Sequence, residues 1–507
     1  MGFYYFYGFL ILYFNIYIMP IKNRLFTYST TPISGASQSG NLIISSNYID
    51  GYTWWGGPDE NAGYVIAHTD TNKNVRTERN RAAVISTNSV GFWRTGTQSD
   101  NAFLSMFNGL FNQSYASASV AAYWLNTNGY WTSYTPEESL ISPILVGGAF
   151  TSYNIGSPTN TITNASRIIR LNSDGSVDNT FTMGTGFGGS FYVLVIARQT
   201  DGKILVGGDF PTYNNITASK IIRLNTDGSI DNAFTYGSAF TGINDEVVTI
   251  KIQTDGKILI GGAFTSYNGT TRNSIIRLNS DGTIDNTFTV GTGFNSDTLN
   301  ILLQSSGKIV IVGSFTTYNG STANRIIRLN TDGSIDNTFT TGTGFNDSVR
   351  SSELQSDDKI IVAGLFTSYN GTSYTRLIRL NSNGTIDNTF TVGTGLGSPT
   401  SYYNHCTRIQ FDGKILVGGD FTTYNGSNAN RIIRLNTDGS VDNTFTTGTG
   451  FNGTTVESIF IQSDGKILIG GVFTSYNGSS ATNMIRLNID GTVDRGYIFN
   501  SNVKTII

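Results

Sequence analysis

The chain has 507 residues, enough for several independent cores, and its single Cys excludes a disulfide framework. Two His residues leave little for a histidine-built zinc site. A net charge of -3, with 13% charged residues and no Lys/Arg run, gives no electrostatic footprint for nucleic acid. The polar surface is instead Gly, Asn, Thr, Ser and Tyr, as in many adhesive or extracellular β-proteins. Cys406 reads as a small buried hydrophobe rather than a reactive thiol.

Residues 1–18, MGFYYFYGFLILYFNIYI, are the one long apolar run. No Lys or Arg precedes it and no small-x-small cleavage site follows, which argues against a signal peptide. Its length, at the lower limit for a span, and Asn15 within it argue against a transmembrane helix, so no stable membrane insertion is expected. Met19 opens an ordinary soluble start, MPIKNRLFTYST. The run is therefore either a hydrophobic leader or a stretch ahead of the true translation start.

Residues 19–135 hold all five Trp residues, a composition shift that marks a domain boundary. NLIISS and GYVIAH have strand character, whereas DNAFLSMFNGLF and SASVAAYWLNTNG carry helical spacing, which predicts a small α+β module. Trp54 and Trp55 lie close in sequence to Asp59, Glu60 and His68. Rings beside carboxylates suit a sugar-binding cleft. The same Trp-rich segment equally serves as the core of a small module.

From residue 136 onward one sentence is written seven times. Its Arg recurs at Arg170, Arg223, Arg277, Arg328, Arg379, Arg434 and Arg486, with spacings of 53, 54, 51, 51, 55 and 52 residues. A period near fifty suits one small antiparallel sheet per repeat arranged radially, and seven of them predict a seven-bladed β-propeller over residues 136–507. In the cleanest copy, VESIFIQ alternates as a half-buried strand, SDGK turns the chain, and KILIGGVF returns with paired glycines that permit close approach. TSYNG supplies an Asn-Gly hairpin turn, MIRLN a third strand and DGTVD another turn. A short fourth strand is expected at segments such as IDNTF, giving three to four strands per blade.

The first copy has YTPEESLISPILVGGAF where the others carry an opening strand, and the chain ends in NVKTII. Val503 and Ile506 fall at the places of Val456 and Ile459, which predicts that the C-terminus supplies the missing strand and clasps the ring.

Each repeat Arg is followed eight residues later by Asp, as in Arg170 with Asp178 and Arg328 with Asp336. A ring of seven guanidinium groups could bind anions. Sevenfold recurrence favours a structural pair instead, because a planar fork suits a carboxylate and an active site needs one constellation. NSDGSVDNTF lacks the sixth-position Gly and twelfth-position Glu of an EF-hand loop, and GTGFGG does not open a helix, so no metal or phosphate site is expected and no cofactor is implied. The Asn-Gly-Ser/Thr triplets at Asn268, Asn319, Asn370, Asn425 and Asn477 recur with the hairpin and read as turns.

A propeller's specific site must come from differences between blades. The position of Glu457 is Arg350, His405 and Lys504 in other copies, against Leu194, Val248 and Leu299 in the second to fourth. The position of Phe460 is Lys251, Glu353 or Arg408 elsewhere. These residues form the candidate ligand-binding set: Arg350, Glu353, His405, Arg408, Glu457 and Lys504, with Trp54 and Trp55 in the front module. His405 and Glu353 could act as acid and base. Mutually satisfied ion pairs are the alternative, and no Ser/His/Asp or Cys/His arrangement for nucleophilic chemistry is legible.

The segment DGKILVGGDFTTYNGSNANRIIRLNTDGSVDNTFTTGTGFN at residues 412–452, repeated across all seven copies, resembles the delta-60 repeat family of β-propellers. That family occurs in bacterial surface or secreted proteins and in phage structural proteins, and the resemblance implies scaffolding rather than one chemistry. A departure is the fifth copy, SDDKIIVAGLF, where Asp358 and Ala363 replace glycines and a reshaped blade is expected. GYTWWGGPDENAGYVIAH, VGFWRT and YWLNTNGYWTSY resemble a module at the front of phage and virus-like structural proteins. Together the resemblances imply a non-enzymatic virion protein, at the tail or another exposed part. Its expected partners are other virion proteins and a host-surface glycan or receptor. A secreted or surface-anchored bacterial adhesin is the alternative, and a propeller glycosidase or polysaccharide lyase a more distant one.

Overall fold

The computed structural model describes residues 143–154, 161–162, 165–189, 192–234, 243–397 and 405–507, together with the backbone of four short strands nearer the N-terminus. In the second repeat the opening strand Val193–Arg198 pairs antiparallel with Ile204–Gly208, which pairs in turn with Ile221–Leu224. This opening–middle–third order recurs in every later repeat, as Val247–Ile252, Ile258–Gly262 and Ile275–Leu278 show in the third. The middle strands are buried along their whole length because both faces of each sheet are covered by neighbouring sheets, which is why they read as continuous apolar runs.

Seven hydrophobic cores result, one between each pair of successive blades. Phe294, from the loop closing the third repeat, sits on Phe315 and Tyr318 of the fourth with ring centroids 4.2 and 4.7 Å apart. The first glycine of each Gly-Gly pair makes room for the next blade: a Cβ on Gly207 would lie 2.5 Å from Val247 Cγ1, and one on Gly418 would lie 2.5 Å from Val456 Cγ1. The opening strands pack against one another in chain order around the axis, and Val503–Ile506 packs against both Thr455–Ile461 and Val193–Arg198. The ring is closed, with seven blades.

The clasp forms as the sequence predicts. Val503, Thr505 and Ile506 pair with Gly148, Gly147 and Val146, the register that Val456, Ser458 and Ile459 hold in the seventh blade. Ile507 and Leu145 exchange two backbone hydrogen bonds, at 2.9 and 3.0 Å. A second clasp was not legible. Val493–Phe499 pairs with Tyr153–Asn154 through Phe499 and Ile498, and Asn500 Oδ1 accepts from the Thr151 and Ser152 amides at 2.9 and 3.0 Å.

Among the described residues the expected fourth strand forms only in the seventh repeat, as Val493–Phe499. Elsewhere it is reduced to one bridge, such as Leu329 to Ile335. The cause is the Asp that follows: the Asp336 carboxylate accepts from the Thr338 amide and hydroxyl at 3.0 and 2.7 Å and folds the chain into a turn. In the seventh repeat Arg495 and Gly496 stand in place of Asn-Thr, so no hydroxyl closes that turn and the ladder continues. The Asn-Gly hairpin is also more independent than expected. It forms its own two-residue ladder, Ser266–Tyr267 against Thr270–Thr271, with Asn268 and Gly269 at φ of 49° and 73°, the backbone a type I′ turn requires.

The fifth blade keeps the register of the others, with Val349 paired to Gly364 and Glu353 to Ile361. Asp358 takes the left-handed φ of 60° that glycine holds in the other copies, and its carboxylate compensates by accepting from the Ser305 amide of the fourth blade at 3.0 Å.

Nearer the N-terminus, Ile43–Ile44, Tyr48–Asp50, Arg81–Ser86 and Val90–Arg94 make one antiparallel sheet in chain order. The segments read as helices, the GYVIAH strand, residues 1–18, and Trp54 and Trp55 lie outside the described residues. No helix occurs among the described residues, so none there is long and apolar enough to cross a membrane.

Val503 and Ile506 are fully buried, and each aliphatic side chain contributes about 1.5–3 kcal/mol on burial. Deletion of residues 501–507 is therefore expected to lower the melting temperature sharply in a thermal scan. An unchanged melting curve would show that the ring does not depend on its clasp.

Candidate functional site

The seven Arg–Asp pairs are all formed. Arg170 Nε meets Asp178 Oδ2 at 2.7 Å, Arg328 meets Asp336 at the same distance, and the other five lie at 2.6–2.7 Å. Each guanidinium also does something the spacing did not reveal. Its Nη1 donates to a backbone carbonyl in the next blade's turn, as Arg328 does to Ser382 O at 2.6 Å and Arg277 to Thr331 O at 2.5 Å. The seventh, Arg486, reaches Ser173 O in the first blade and so spans the closure. The Lys of each DGK, SGK or DDK turn shares the same carboxylate, Lys308 Nζ lying 2.5 Å from Asp336. Arg328 further covers the Phe339 ring at 4.8 Å. These groups are committed to the frame.

The symmetry-breaking residues fall at two levels of the opening strands. The first is a rim where those strands begin. There Glu457 and Lys504 form an ion pair at 2.8 Å, and burial pushes the Glu457 carboxyl up against the opposing pull of Lys504. Arg350 acts on Asp297, whose carboxyl is raised by burial and lowered by that charge. Across the second to fourth blades the rim is acidic: burial raises the Glu246 carboxyl, and Asp245, Asp297 and Asp209 add to it. His405, only 6% exposed, has no hydrogen-bond partner at either ring nitrogen. Burial, helped by the charges of Arg376 and Arg350, lowers its pKa to about 3, so it is neutral at physiological pH.

Asp420 was missed by the sequence reading. It is 3% exposed and neither carboxylate oxygen finds a hydrogen bond; burial raises its pKa while Arg376 and Arg431 oppose the rise. A signal was available, because the residue after Gly-Gly is apolar or Ser in most copies and Asp in only two. The other, Asp209, forms an ion pair with Lys220.

The second level is a collar three residues further along. Arg408 Nη1 lies 3.0 Å from Glu353 Oε2, and both side chains remain partly exposed. Lys251 stands at the same level on the third blade, opposite Leu259 as Glu353 is opposite Ile361 and Arg408 opposite Leu416. The structure therefore does not assemble the acid/base pair: Glu353 is engaged by Arg408, His405 lies at the rim, and no hydrogen bond or ion pair joins the two. Among the described residues no three His, Cys, Asp or Glu side chains gather as a metal site.

Seven copies of one profile, described as a domain of unknown function, DUF5122, β-propeller, match residues 144–181, 199–234, 253–288, 304–339, 355–390, 410–445 and 462–497. The chain belongs to this DUF5122 β-propeller family. No curated protein matches it in sequence. Similar solved structures include a protein of unknown function from Bacteroides caccae, 13% identical, covering 72% of this chain and 98% of that one with a TM-score of 0.33. The WD40 β-propeller domain of Doa1 is 13% identical over 68% of this chain and 88% of that one, with a TM-score of 0.41. Virginiamycin B lyase from Staphylococcus aureus is 16% identical over 61% and 83%, with a TM-score of 0.36. None of these likenesses bears on activity.

Within this DUF5122 ring the remaining motifs are structural. In several blades the Asn of the hairpin turn docks on the preceding glycine-rich loop, Asn319 Oδ1 accepting from the Thr292 amide at 3.2 Å and Asn370 Oδ1 from Thr343 at 3.1 Å. Cys406 is a free thiol packed between the sixth and seventh blades, and burial pushes its pKa up to about 12, which suppresses the thiolate.

Burial works against ionisation of Asp336, but hydrogen bonds from Lys308, Thr338 and Arg328 outweigh it and hold the carboxyl well below the ordinary carboxylate range. Its folded pKa is depressed, so its contribution is complete above about pH 4 and is lost as pH falls further. Asp336→Asn should lower the melting temperature by a few degrees at pH 7, with the difference from wild type narrowing as pH falls below about 4. His405 gives a separate window. The unfolded imidazole takes a proton near pH 6.5 and the folded one only near 3, so wild type loses stability as pH falls below about 6.5. His405→Leu should flatten the melting temperature between about pH 6.5 and 4.5; identical pH profiles would exclude this burial.

Proposed function

We propose that the chain is a non-enzymatic structural protein of a phage particle, at the tail or another exposed position, whose propeller recognises a host-surface glycan or receptor. The observation that carries recognition is the division of labour in the ring. The seven repeated ionic clusters are satisfied within the frame, while the groups that differ between blades collect at the axial rim and collar. Display of many copies on one particle would convert weak individual contacts into firm attachment. The virion placement draws on the resemblance to delta-60 repeats and on that of the front segment to phage structural modules, with other virion proteins as partners. The non-enzymatic part is supported by the engagement of Glu353 with Arg408 and by a neutral His405 held away from it. A secreted or surface-anchored bacterial adhesin is the second reading, favoured by the apolar residues 1–18.

Mass spectrometry of purified particles should find the chain among their proteins, and its absence would sink the virion reading. The full chain, applied to a glycan array and to host cells with reducing-sugar release followed in parallel, should bind without release. Release of sugar would make it an enzyme instead.

A further inference from the structure

We propose that the axial collar is a binding site for a small organic carboxylate, held by the Lys251 ammonium and the Arg408 guanidinium. The proposal rests on the reading of this chain as a binding protein and adds where and what it binds.

Three observations place the site. Lys251 is on the third blade and Glu353 on the fifth, and the fourth blade stands between them, yet the charges of Glu353 and Arg408 both act on Lys251. The shortest route between non-neighbouring opening strands is across the axis. These three side chains therefore face one shared space, although they are 102 and 157 residues apart in sequence (353 − 251 and 408 − 251).

The charge there does not balance. Glu353 is neutralised by Arg408 at 3.0 Å, whereas Lys251 makes no hydrogen bond or ion pair among the described residues. At the same level other blades carry partly exposed apolar groups, Ala197 and Phe460, which pair with Leu205 and Leu468 of their middle strands. One uncompensated positive charge inside an apolar collar attracts an anion more strongly than it would in water, because the local dielectric is low. The deprotonating pull on Lys251 from its walls has the same origin and is relieved by a bound negative charge.

The site is also reachable. The side chains of Arg408 and Glu353 keep 41% and 28% of their exposure, and Lys251 is itself partly exposed. A carboxylate can accept from the Lys251 ammonium with one oxygen and from Arg408 with the other, and a sugar or aliphatic body attached to it would meet Phe460. Glu353 would accept from a neighbouring hydroxyl. A uronic acid presents this combination of groups.

Isothermal titration calorimetry of the full chain with D-glucuronate, glucose and inorganic phosphate tests the site. Glucuronate should bind saturably and glucose should not; a phosphate response equal to that of glucuronate would reduce the site to an anion hole and overturn the organic carboxylate. Loss of one charge-assisted hydrogen bond in Lys251→Met should weaken glucuronate binding by about tenfold or more, while Lys251→Arg retains most of it. Equal affinity in Lys251→Met, or no saturable binding to the intact chain, overturns the proposal. A readout independent of variants is acetylation by an N-hydroxysuccinimide ester followed by mass spectrometry. Glucuronate should protect Lys251 and leave Lys203, paired with Asp231, unaffected. Equal labelling of Lys251 with and without glucuronate again overturns it. The two readings fail separately: host-surface binding that survives Lys251→Met sinks the collar site alone, and a collar that binds glucuronate in a chain that binds no host surface sinks surface recognition alone.

Discussion

Everything in the ring depends on one guanidinium used twice. The three-stranded sheets of successive blades share no backbone ladder with one another, and main-chain pairing between blades is confined to short outer contacts such as Leu396–Gly397 with Thr423–Tyr424 and the seam at Tyr153–Asn154, so side chains must carry much of the link. The repeat Arg does this with its planar fork: one edge meets the Asp of its own blade and the other donates to a turn carbonyl of the following blade. Burying that charge would be costly alone. The Asp, the turn Lys and the face of a Phe ring surround it, so the desolvated ion is compensated on several sides. Within each blade the outer tyrosine adds a tie of its own, Tyr318 donating to Gly333 O at 2.8 Å, with a counterpart in every other blade.

Closure follows from the same economy of edges. A linear stack of seven sheets would leave an opening face and a final face uncovered, and with them apolar side chains and an unpaired strand edge. Val503–Ile506 removes the defect by lending the first blade its opening strand, and the core between the seventh and first blades is then built like the other six. Continuation of the seventh repeat into a fourth strand against Tyr153–Asn154 seals the outer side of the same seam. The seam is thus joined at three radii, by the inner clasp, the outer clasp and Arg486.

Because the frame is carried by the middle and third strands, the turns and the first glycine of each pair, the outward positions of the opening strands are released from structural duty. Those positions vary between copies, and the variation collects where it can act on a ligand. The rim divides into an acidic arc over the second to fourth blades and a mixed arc around the rest, with the buried His405 and Asp420 in the sixth. The collar below carries Lys251, Glu353 and Arg408 in apolar surroundings.

Most of the frame was legible before any coordinates. The period of the Arg residues implies the number of blades, the missing opening strand of the first copy and the surplus NVKTII at the end imply the clasp, and the eight-residue Arg–Asp spacing implies the ion pair. These are local or strictly repeated features, and repetition lets one observation be checked six more times. The fourth strand was misjudged because β-like residues in IDNTF lose to the hydrogen bonds by which one Asp caps its own turn. What only the tertiary structure decided are relations between blades. The reach of each Arg to its neighbour, the separation of His405 from Glu353 and the electrostatic influence of Glu353 and Arg408 on Lys251 all depend on ring curvature and axial distance. Sequence spacing determines which side chains share a strand face; only the closed ring brings strands from non-neighbouring blades around one axis, and that is where this protein's asymmetric chemistry lies.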